Sequence, residues 1–243
     1  MRSDCQGIAL VLLAALPWTA LAQTAATPAQ NLPANYPAKP VRVVVPFTAG
    51  GPNDAVLRPL TQKFHELLGQ PFVFDYRPGG GAVIGTDYVA KAPPDGYTLL
   101  VTSATFTINA ATYARLPYDI VRDFAPVSTI ATGNIVFLVN PVVPVRTVGE
   151  FVALARSRPG KITYGSSGIG GSLHLAGELL SVTAGISTMH VPYKGAVQAI
   201  TDVMGGHVDS MFIASAAAIP QVKAGKVRAL GVASPRRAAA LPD

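Results

Sequence analysis

The chain has 243 residues, of which 49% are hydrophobic and 13% are charged, and its formal net charge is +6. An apolar content of this size supports one large or two small folded domains and excludes a wholly disordered chain. The Lys and Arg residues are scattered rather than clustered, so the positive charge predicts steering of anionic small molecules rather than nucleic-acid or membrane binding.

Residues 1–22 are predicted to form an export signal. Arg2 precedes an apolar run from Ile8 to Leu16, and Ala20-Leu21-Ala22 has the small-residue spacing of a cleavage site. The run is too short to cross a bilayer. Asp4 makes the charged region before it weaker than usual, so a retained anchor is the alternative. We expect cleavage after Ala22 and a periplasmic location.

Residues 23–36 are rich in Ala, Thr, Pro, Gln and Asn, which predicts a flexible leader before the folded part. The one cysteine of the chain, Cys5, lies in the predicted signal. The exported protein would therefore have no thiol for a disulfide or for a cysteine-ligated metal. We predict neither a cofactor nor a metal site.

The folded part begins with alternating strand-like and helix-like patterns. Val41 to Phe47 is a continuous apolar run typical of a buried strand, and apolar residues then recur at helical spacing. The alternation continues with a strand at Phe72 to Tyr76, a short helix around Thr86 to Lys91 and a strand at Tyr97 to Thr102. This order predicts a βαβαβ unit with a parallel sheet.

A second domain is predicted to begin near residue 125. Ala125 to Ile130 and Ile135 to Asn140 are strand-like runs separated by a Gly133-Asn134 turn. Four helices are then predicted, at Val148 to Arg156, Ser172 to Val182, around Val197, Ile200 and Met204, and at Ala216 to Ala224. Four strands alternate with them, at Lys161 to Gly165, Thr188 to Tyr193, His207 to Ile213 and Val227 to Ala233, the last being a candidate return to the first domain.

The segment from Pro46 to Asp54 is the first candidate binding element. It leads from a buried strand through Gly50-Gly51 into a helix, and the unpartnered N–H groups of a helix start attract carboxylate or phosphate groups. Pro52 and Asp54 are also what a helix start needs for capping alone, so this turn by itself favours neither interpretation.

Two later turns repeat this arrangement. Tyr164 to His174 passes from a strand through glycines and hydroxyls into a helix, and Val191 to Ala196 is a third such turn. Turns of this kind leave the carboxyl ends of parallel strands, where open α/β sheets bind ligands. Their recurrence favours binding over capping alone.

Several motifs, in their order and spacing, also carry a family resemblance that covers nearly all of the chain after the leader. They are Tyr36-Pro37 with Lys39-Pro40, Val45-Pro46-Phe47 through Gly50-Gly51 to Asp54 and Arg58, Arg77-Pro78-Gly79, Ala92-Pro93-Pro94-Asp95-Gly96-Tyr97, Tyr118-Asp119 with Asp123-Phe124-Ala125-Pro126-Val127, the Gly165 turn through His174-Leu175-Ala176 to Glu178, and Val191-Pro192-Tyr193-Lys194-Gly195. Together these segments resemble the periplasmic substrate-binding receptors of tripartite tricarboxylate transporters, the Bug receptors.

The resemblance implies a two-lobed α/β fold, the type II periplasmic binding protein or Venus flytrap, with parallel-rich sheets and flanking helices. Residues 37–124 together with 227–243 would form an incomplete first lobe, and residues 125–226 would form the second lobe. Members of the family continue by roughly another quarter of their length after the position of Asp243, so we expect a C-terminally truncated receptor.

The resemblance also implies which residues contact the ligand. One jaw of the cleft would be formed by Phe47, Ala49, Gly50, Gly51 and Asp54, the other by Ser166, Ser167 and Gly168, with Tyr193 and Lys194 lining the cleft. Ser103, Thr105 and Ser215 are added because they follow strand ends. After Arg77-Pro78 the family usually has a glycine run that contains Asn, whereas this chain has Ala82-Val83. The sequence therefore does not support a polar contact between this turn and the ligand.

Two of these residues have alternative roles. Lys194 is either a counter-charge for a carboxylate or a solvated loop cation. Asp54 either caps its helix or receives an ammonium group, because a buried carboxylate beside a ligand carboxylate would repel it.

The predicted function is a non-enzymatic, monomeric receptor that captures a small organic acid, such as a di- or tricarboxylate or an amino acid, and delivers it to membrane transporter subunits. One rival is a secreted α/β hydrolase or isomerase that uses Ser167, His174 and Glu178, although the glycine spacing of a nucleophile elbow is missing. A third candidate is an interaction module without a small ligand. His174 and Glu178 lack a third metal ligand nearby, and His65, His190 and His207 are expected to be isolated structural residues.

Overall fold

The computed structural model describes residues 35–238 and 240–241. The predicted signal and nearly all of the predicted leader lie outside the described residues. Within the described part, no helix combines the length and apolar character needed to cross a bilayer.

Strands and helices alternate along the described residues, as the sequence predicted. The strands are β1 Val41–Val45, β2 Phe72–Tyr76, β3 Thr98–Leu100, β4 Ile135–Val139, β5 Thr163–Ser166, β6 Met189–Pro192, β7 Ser210–Ala214 and β8 Arg228–Val232. The helices are α1 Pro52–Leu68, α2 Val83–Ala90, α3 Thr105–Thr112, α4 Val148–Ser157, α5 Ser172–Ala184, α6 Ala196–Gly205 and α7 Ser215–Lys223, and a 3₁₀ turn at Gly80–Ala82 precedes α2.

The first lobe is built on a three-stranded parallel sheet in the order β2-β1-β3. Its central strand is almost continuously buried, because both faces of β1 are covered and its side chains are mostly Val. Val43 and Val45 pack against Leu57 of α1, which places the start of that helix over the carboxyl edge of the sheet. The predicted βαβαβ unit is therefore confirmed.

The second lobe is built on a five-stranded sheet in the order β6-β5-β7-β4-β8. Strands β5, β6 and β7 are parallel, whereas β4 runs antiparallel to both of its neighbours. Leu138, Met211 and Ile213 form its core against the buried face of α6. Both sheets and their flanking helices agree with the predicted α/β class and its parallel-rich sheets.

Three elements differ from the sequence-based expectation. The strand predicted at Val227 to Ala233 was a candidate return to the first lobe, but β8 pairs with β4 and covers the edge of the second sheet. Residues 125–130 were expected to form a strand, yet they belong to no ladder of the described residues, and Val127 is 87% exposed. Helix α3 was not predicted, because Thr and Ile have low helix propensity. The choice of sheet edge and the formation of α3 both depend on tertiary contacts.

A close helix–sheet contact in the second lobe depends on Gly177 of α5. A Cβ atom at this position would overlap the ring of Tyr164, which is buried on β5. We therefore expect Gly177→Ala to destabilise the protein by about 1–3 kcal/mol, because the ring has no free space to enter. Urea denaturation measures this change.

The matched control is Gly149→Ala in α4, where a Cβ would meet only the Thr147 hydroxyl, at 3.9 Å. This variant is expected to be neutral or slightly stabilising, since Ala has the higher helix propensity. Equal unfolding midpoints for the two variants would show that the Tyr164 contact does not constrain α5.

Candidate functional site

A cavity of about 600 Å³ lies between the turns of the two lobes. Its lining comes from four short segments that follow strands or helices. They are Gly79–Gly81 and Thr112–Ala114 in the first lobe, and Ser167–Gly170 and Pro192–Lys194 in the second. The cavity therefore lies at the kind of strand-end crevice where open α/β sheets bind ligands.

The two glycine turns of this cavity approach each other backbone to backbone. A Cβ on Gly168 would lie 3.3 Å from the Cα of Gly81, and a Cβ on Gly81 would lie 2.6 Å from the carbonyl oxygen of Ile169. The φ angles of Gly81 and Gly168 are +59° and +133°, a region that side chains strongly disfavour. Only glycine at both positions permits this approach.

Tyr113 connects the two turns from the side. Its hydroxyl donates a hydrogen bond to the Gly80 carbonyl at 3.1 Å and lies 3.5 Å from the Ile169 carbonyl. Asn109 of α3 is fully buried and donates from its side-chain amide to the Gly81 carbonyl at 2.8 Å. Helix α3 thus holds the Gly79–Gly81 turn in place, which explains why this helix forms despite its weak propensity.

A second contact between the lobes joins the starts of α3 and α5. The Ser172 amide donates to the Thr105 hydroxyl at 3.3 Å, and the two hydroxyls lie 3.4 Å apart. The Ser103 hydroxyl lies 3.2 Å from that of Thr105. Thr105 is 2% exposed, so in this structure its hydroxyl joins the lobes.

The first predicted jaw lies beside the cavity rather than in its lining. Phe47 packs against the core of the first lobe, and Ala49, Gly50 and Gly51 are not among the residues that line the 600 Å³ space. This loop instead meets the start of α6. Gly195 lies against Thr48, and its own Cβ would overlap that side chain.

Asp54 lies in the first turn of α1 and bonds to the loop before this helix. It is 3% exposed, and its Oδ2 accepts hydrogen bonds of 2.7 Å from both the Gly50 amide and the Tyr76 hydroxyl. Arg58 completes the arrangement at 3.5 Å. These bonds of Oδ2 give Asp54 a structural role in the turn, whereas its buried Oδ1 has no hydrogen-bond partner in the described residues, so both predicted roles stay predictions.

Several turn amides are already used within the protein. Gly50 donates to Asp54, Gly168 donates to the Ser166 hydroxyl at 3.2 Å, and Gly170 donates to Nδ1 of His174 at 3.2 Å. Within the described residues, the amides of Ser167 and Ile169 donate no hydrogen bond. Main-chain contacts to a ligand are therefore expected from the residues beside these glycines, while the glycines provide the shape of the turn.

The charge of the lining favours an anion. Lys194 is exposed at the mouth and is the only Lys, Arg, Asp or Glu among the lining residues given above. The hydroxyl of its neighbour Tyr193 donates to Asp202 at 2.5 Å. Burial and this bond raise the pKa of Tyr193 to about 12, so its hydroxyl stays protonated and directed at Asp202. Its ring packs beside Gly165.

The three predicted serines of the second lobe have different environments. Ser167 lines the cavity, whereas Ser166 is fully buried and its hydroxyl contacts Nε2 of His190 at 2.6 Å. Ser215 begins α7, donates from its amide to the Asn134 carbonyl and is not part of the lining. Of these three hydroxyls, only that of Ser167 is available to a ligand in the cavity.

The side chains proposed for hydrolase chemistry do not form a relay. Nδ1 of His174 accepts from the Gly170 amide, and its Nε2 lies 3.7 Å from Glu178. Neither ring nitrogen therefore faces Ser167 as a general base would. Within the described residues there is also no cluster of three or more His, Cys, Asp or Glu that could hold a metal.

Sequence reasoning did not identify the Gly79–Gly81 turn and Tyr113 as parts of the site. The glycine run after Arg77-Pro78 was visible, but it was interpreted only through its missing Asn side chain. Two buried hydroxyls were also overlooked, Thr48 and Thr102, which follow adjacent strands and whose oxygens lack a partner in the described residues. Tyr113 has no sequence signal, since its position depends on α3.

The capping role of Asp54 can be tested by substitution. Asp54→Ala would leave the Gly50 amide and the Tyr76 hydroxyl without their acceptor, so we expect a loss of about 1–3 kcal/mol in the free energy of unfolding. Tyr76→Phe removes one of the two bonds and should cost less. If Asp54 instead bound a ligand ammonium group, its Ala variant would keep its stability and lose affinity only for amino acids.

The chain is similar to known proteins in sequence and in fold. A family model described as tripartite tricarboxylate transporter family receptor matches residues 56–243. The UPF0065 protein of the tcbD-tcbE intergenic region in a Pseudomonas species is 41% identical over 220 residues, covering 90% of this chain and 65% of the relative.

Two similar solved structures are of proteins with a small organic acid. An R. palustris protein with adipate has a TM-score of 0.80 and 35% identity, covering 83% of this chain and 68% of the other. MatC from Rhodopseudomonas palustris with bound malate has a TM-score of 0.79 and 30% identity, covering 83% and 69%.

The chain thus spans about 65% of the length of the Pseudomonas relative. The structural matches confirm the two-lobed periplasmic binding protein fold. The resemblance seen in the sequence is confirmed as well, and the chain belongs to the receptor family of the tripartite tricarboxylate transporters.

Proposed function

We propose that this protein is an extracytoplasmic receptor that captures a small organic acid between its two lobes and presents it to a tripartite tricarboxylate-type transporter. Membership of the receptor family supports the binding role and the periplasmic location. The relatives described with adipate and malate support a carboxylate as the ligand. Capture without chemistry agrees with the engagement of both His174 ring nitrogens away from Ser167.

The observation that carries this proposal is the charge and composition of the cavity between the glycine turns. Its lining combines main chain, hydroxyl groups and one cation, Lys194, and includes no acidic side chain. A carboxylate entering such a space meets N–H and O–H donors and no like charge. A cationic ligand would find no counter-charge among these residues.

Two helix starts add to this preference. Helix α6 begins at Ala196, directly after the Lys194 loop, and α5 begins at Ser172, directly after the Ser167–Gly170 turn. The positive ends of both helix dipoles therefore lie next to the cavity lining and stabilise negative charge there. Lys194 extends this field to the exposed mouth, where it steers an anion inward.

The position of the cavity also explains how binding could change the shape of the protein. The lobes meet through the Gly81–Gly168 approach and through the Thr105–Ser172 hydrogen bond. A ligand that contacts both turns stabilises this closed arrangement over an open one, and only such a difference in affinity shifts the equilibrium. A transporter can then distinguish loaded from empty receptor by the closed surface.

A thermal-shift experiment tests the ligand class. Malate and adipate at millimolar concentration should raise the melting temperature, because a ligand that binds only the folded state stabilises it by mass action. The neutral diol 1,6-hexanediol, which matches adipate in length, should have no effect. Stabilisation by the diol and not by either dicarboxylate would contradict the proposal.

Calorimetry of a Lys194 variant tests the role of the cation. Lys194→Met keeps most of the aliphatic stem and removes the charge, so we expect about tenfold weaker binding of the stabilising dicarboxylate, and a smaller dependence of affinity on salt. Lys161→Met, at an exposed position before β5, is the matched control and should bind like the unsubstituted protein. Equal affinities for both variants would exclude Lys194 from the site.

A further inference from the structure

A group of stacked side chains lies directly beneath the Ser167–Gly170 turn. The rings of His174 and His190 have their centroids 4.1 Å apart, and the ring of Tyr164 lies 4.9 Å from that of His190. The Tyr164 hydroxyl donates to Glu178, whose carboxylate also lies 3.7 Å from Nε2 of His174. We call these four residues the histidine stack. The sequence had predicted an isolated His190, which is wrong.

The stack holds the turn at both of its ends. At the start, Nε2 of His190 lies 2.6 Å from the Ser166 hydroxyl, which in turn accepts from the Gly168 amide. At the end, Nδ1 of His174 accepts from the Gly170 amide at 3.2 Å. The cavity-lining part of the turn is therefore held at one end by the His190 ring, through Ser166, and at the other end by the His174 ring.

The contact with Gly170 requires a neutral ring. An amide N–H can donate only to an Nδ1 that carries a lone pair, and protonation would place a second donor against it. A charged His174 would also lie 4.1 Å, ring to ring, from His190. Protonation of one ring therefore removes a bond from the turn, and protonation of both adds repulsion.

The titratable and aromatic groups around His174 come from its own helix and from the elements that pack against it. Glu178 comes from α5 itself, Tyr164 from β5 and His190 from β6. On the far side of the turn, the Tyr113 ring packs against Gly170. Lys194 and Tyr193 lie in the loop before α6, and Asp202, which accepts a hydrogen bond from Tyr193, lies in α6 itself. Glu178 supplies the carboxylate that lies 3.7 Å from Nε2 of the ring.

We propose that His174 and His190 are positioning residues that hold the 166–171 turn in its ligand-binding conformation, and that protonation of His174 releases this turn. The inference rests on the proposed function, and it implies that the receptor captures a carboxylate near neutral pH and loses affinity in acid. The switch acts through the turn, since neither ring lines the cavity.

The environment of His190 keeps the ring of this residue neutral at pH 7. Burial, followed by the charge of His174, lowers the pKa of His190 from 6.5 to about 4. The unfolded chain therefore binds a proton at a higher pH than the folded one. The stabilising contribution of the neutral ring is complete above pH 6.5 and is lost as the pH falls toward 4.

Nuclear magnetic resonance of the ligand-free protein tests positioning without requiring a known ligand. The amide signal of Gly170 should shift between pH 8 and pH 5, because protonation of His174 removes the acceptor of that amide. The Gly168 signal should shift with it, because the turn is released. His174→Asn is the control, because it keeps an acceptor for Gly170 that cannot be protonated over this range, and both amide signals should stay unchanged in it. Glycine amides that stay constant while His174 titrates would overturn the proposal.

Paired variants separate positioning from a general loss of structure. His174→Asn places an amide oxygen near Nδ1 and cannot titrate. It should retain dicarboxylate binding at pH 7.5 and weaken at pH 5 only as far as protonation of the ligand carboxylates requires. His174→Phe removes the acceptor and should bind about tenfold more weakly at pH 7.5, as expected for one lost hydrogen bond. Melting curves at both pH values establish that each variant is folded.

The outcomes distinguish this inference from the proposed function. Unsubstituted protein that binds malate or adipate at pH 7.5 and, relative to His174→Asn, loses about tenfold more affinity between pH 7.5 and pH 5, supports both. An equal loss of affinity between the two pH values in the unsubstituted protein and in His174→Asn would overturn the switch and leave the receptor function intact. Failure of every dicarboxylate at pH 7.5 would overturn the receptor function, and the amide titration would still decide the positioning role.

Discussion

The close approach of two glycine turns is the constraint on which the rest of the site depends. A Cβ on Gly81 would overlap the carbonyl oxygen of Ile169, and a Cβ on Gly168 would make a tight contact with the Cα of Gly81. The other features of the cavity are arranged around this approach. Tyr113 can reach both turns, the Ser167 and Ile169 region faces the first lobe, and a small ligand can touch both lobes at once. A side chain at either position would separate the lobes.

The hydrogen bonds of the turns divide their amides into two groups. Those of Gly50, Gly168 and Gly170 are used inside the protein, by Asp54, Ser166 and His174 respectively. This arrangement fixes the shape of the turns before a ligand arrives, which lowers the entropy cost of binding. The glycines are thus required for geometry, and the neighbouring amides and hydroxyls remain for recognition.

Much of the fold could be predicted from sequence because it depends on local patterns. The apolar run of β1 and the glycine turns at Gly50 and Gly168 are visible in any window of the chain. The placement of β8 beside β4 was not predictable in this way, since any unpaired strand edge could have accepted it. Helix α3 was also not predictable from local patterns, because Asn109 stabilises it through a hydrogen bond to a turn almost thirty residues earlier.

The site was predicted only where it depends on local patterns. Ser167, Gly168, Tyr193 and Lys194 lie in turns with clear signals, and all four line the cavity. Tyr113 and the Gly79–Gly81 turn came from the fold alone, and the pairing of His174 with His190 joins residues of different elements. Long-range packing, rather than any motif, decides which turns face each other.

The most direct test of the account is a titration of the protein with malate or adipate, followed by the amide signals of the backbone. We expect saturable shifts at Gly79–Gly81 and at Ser167–Gly170 together, because one ligand touches both turns. Shifts confined to one lobe, or centred on the Pro141 and Val222 groove at the far edge of the second sheet, would contradict the central claim that two facing glycine turns hold the acid between them.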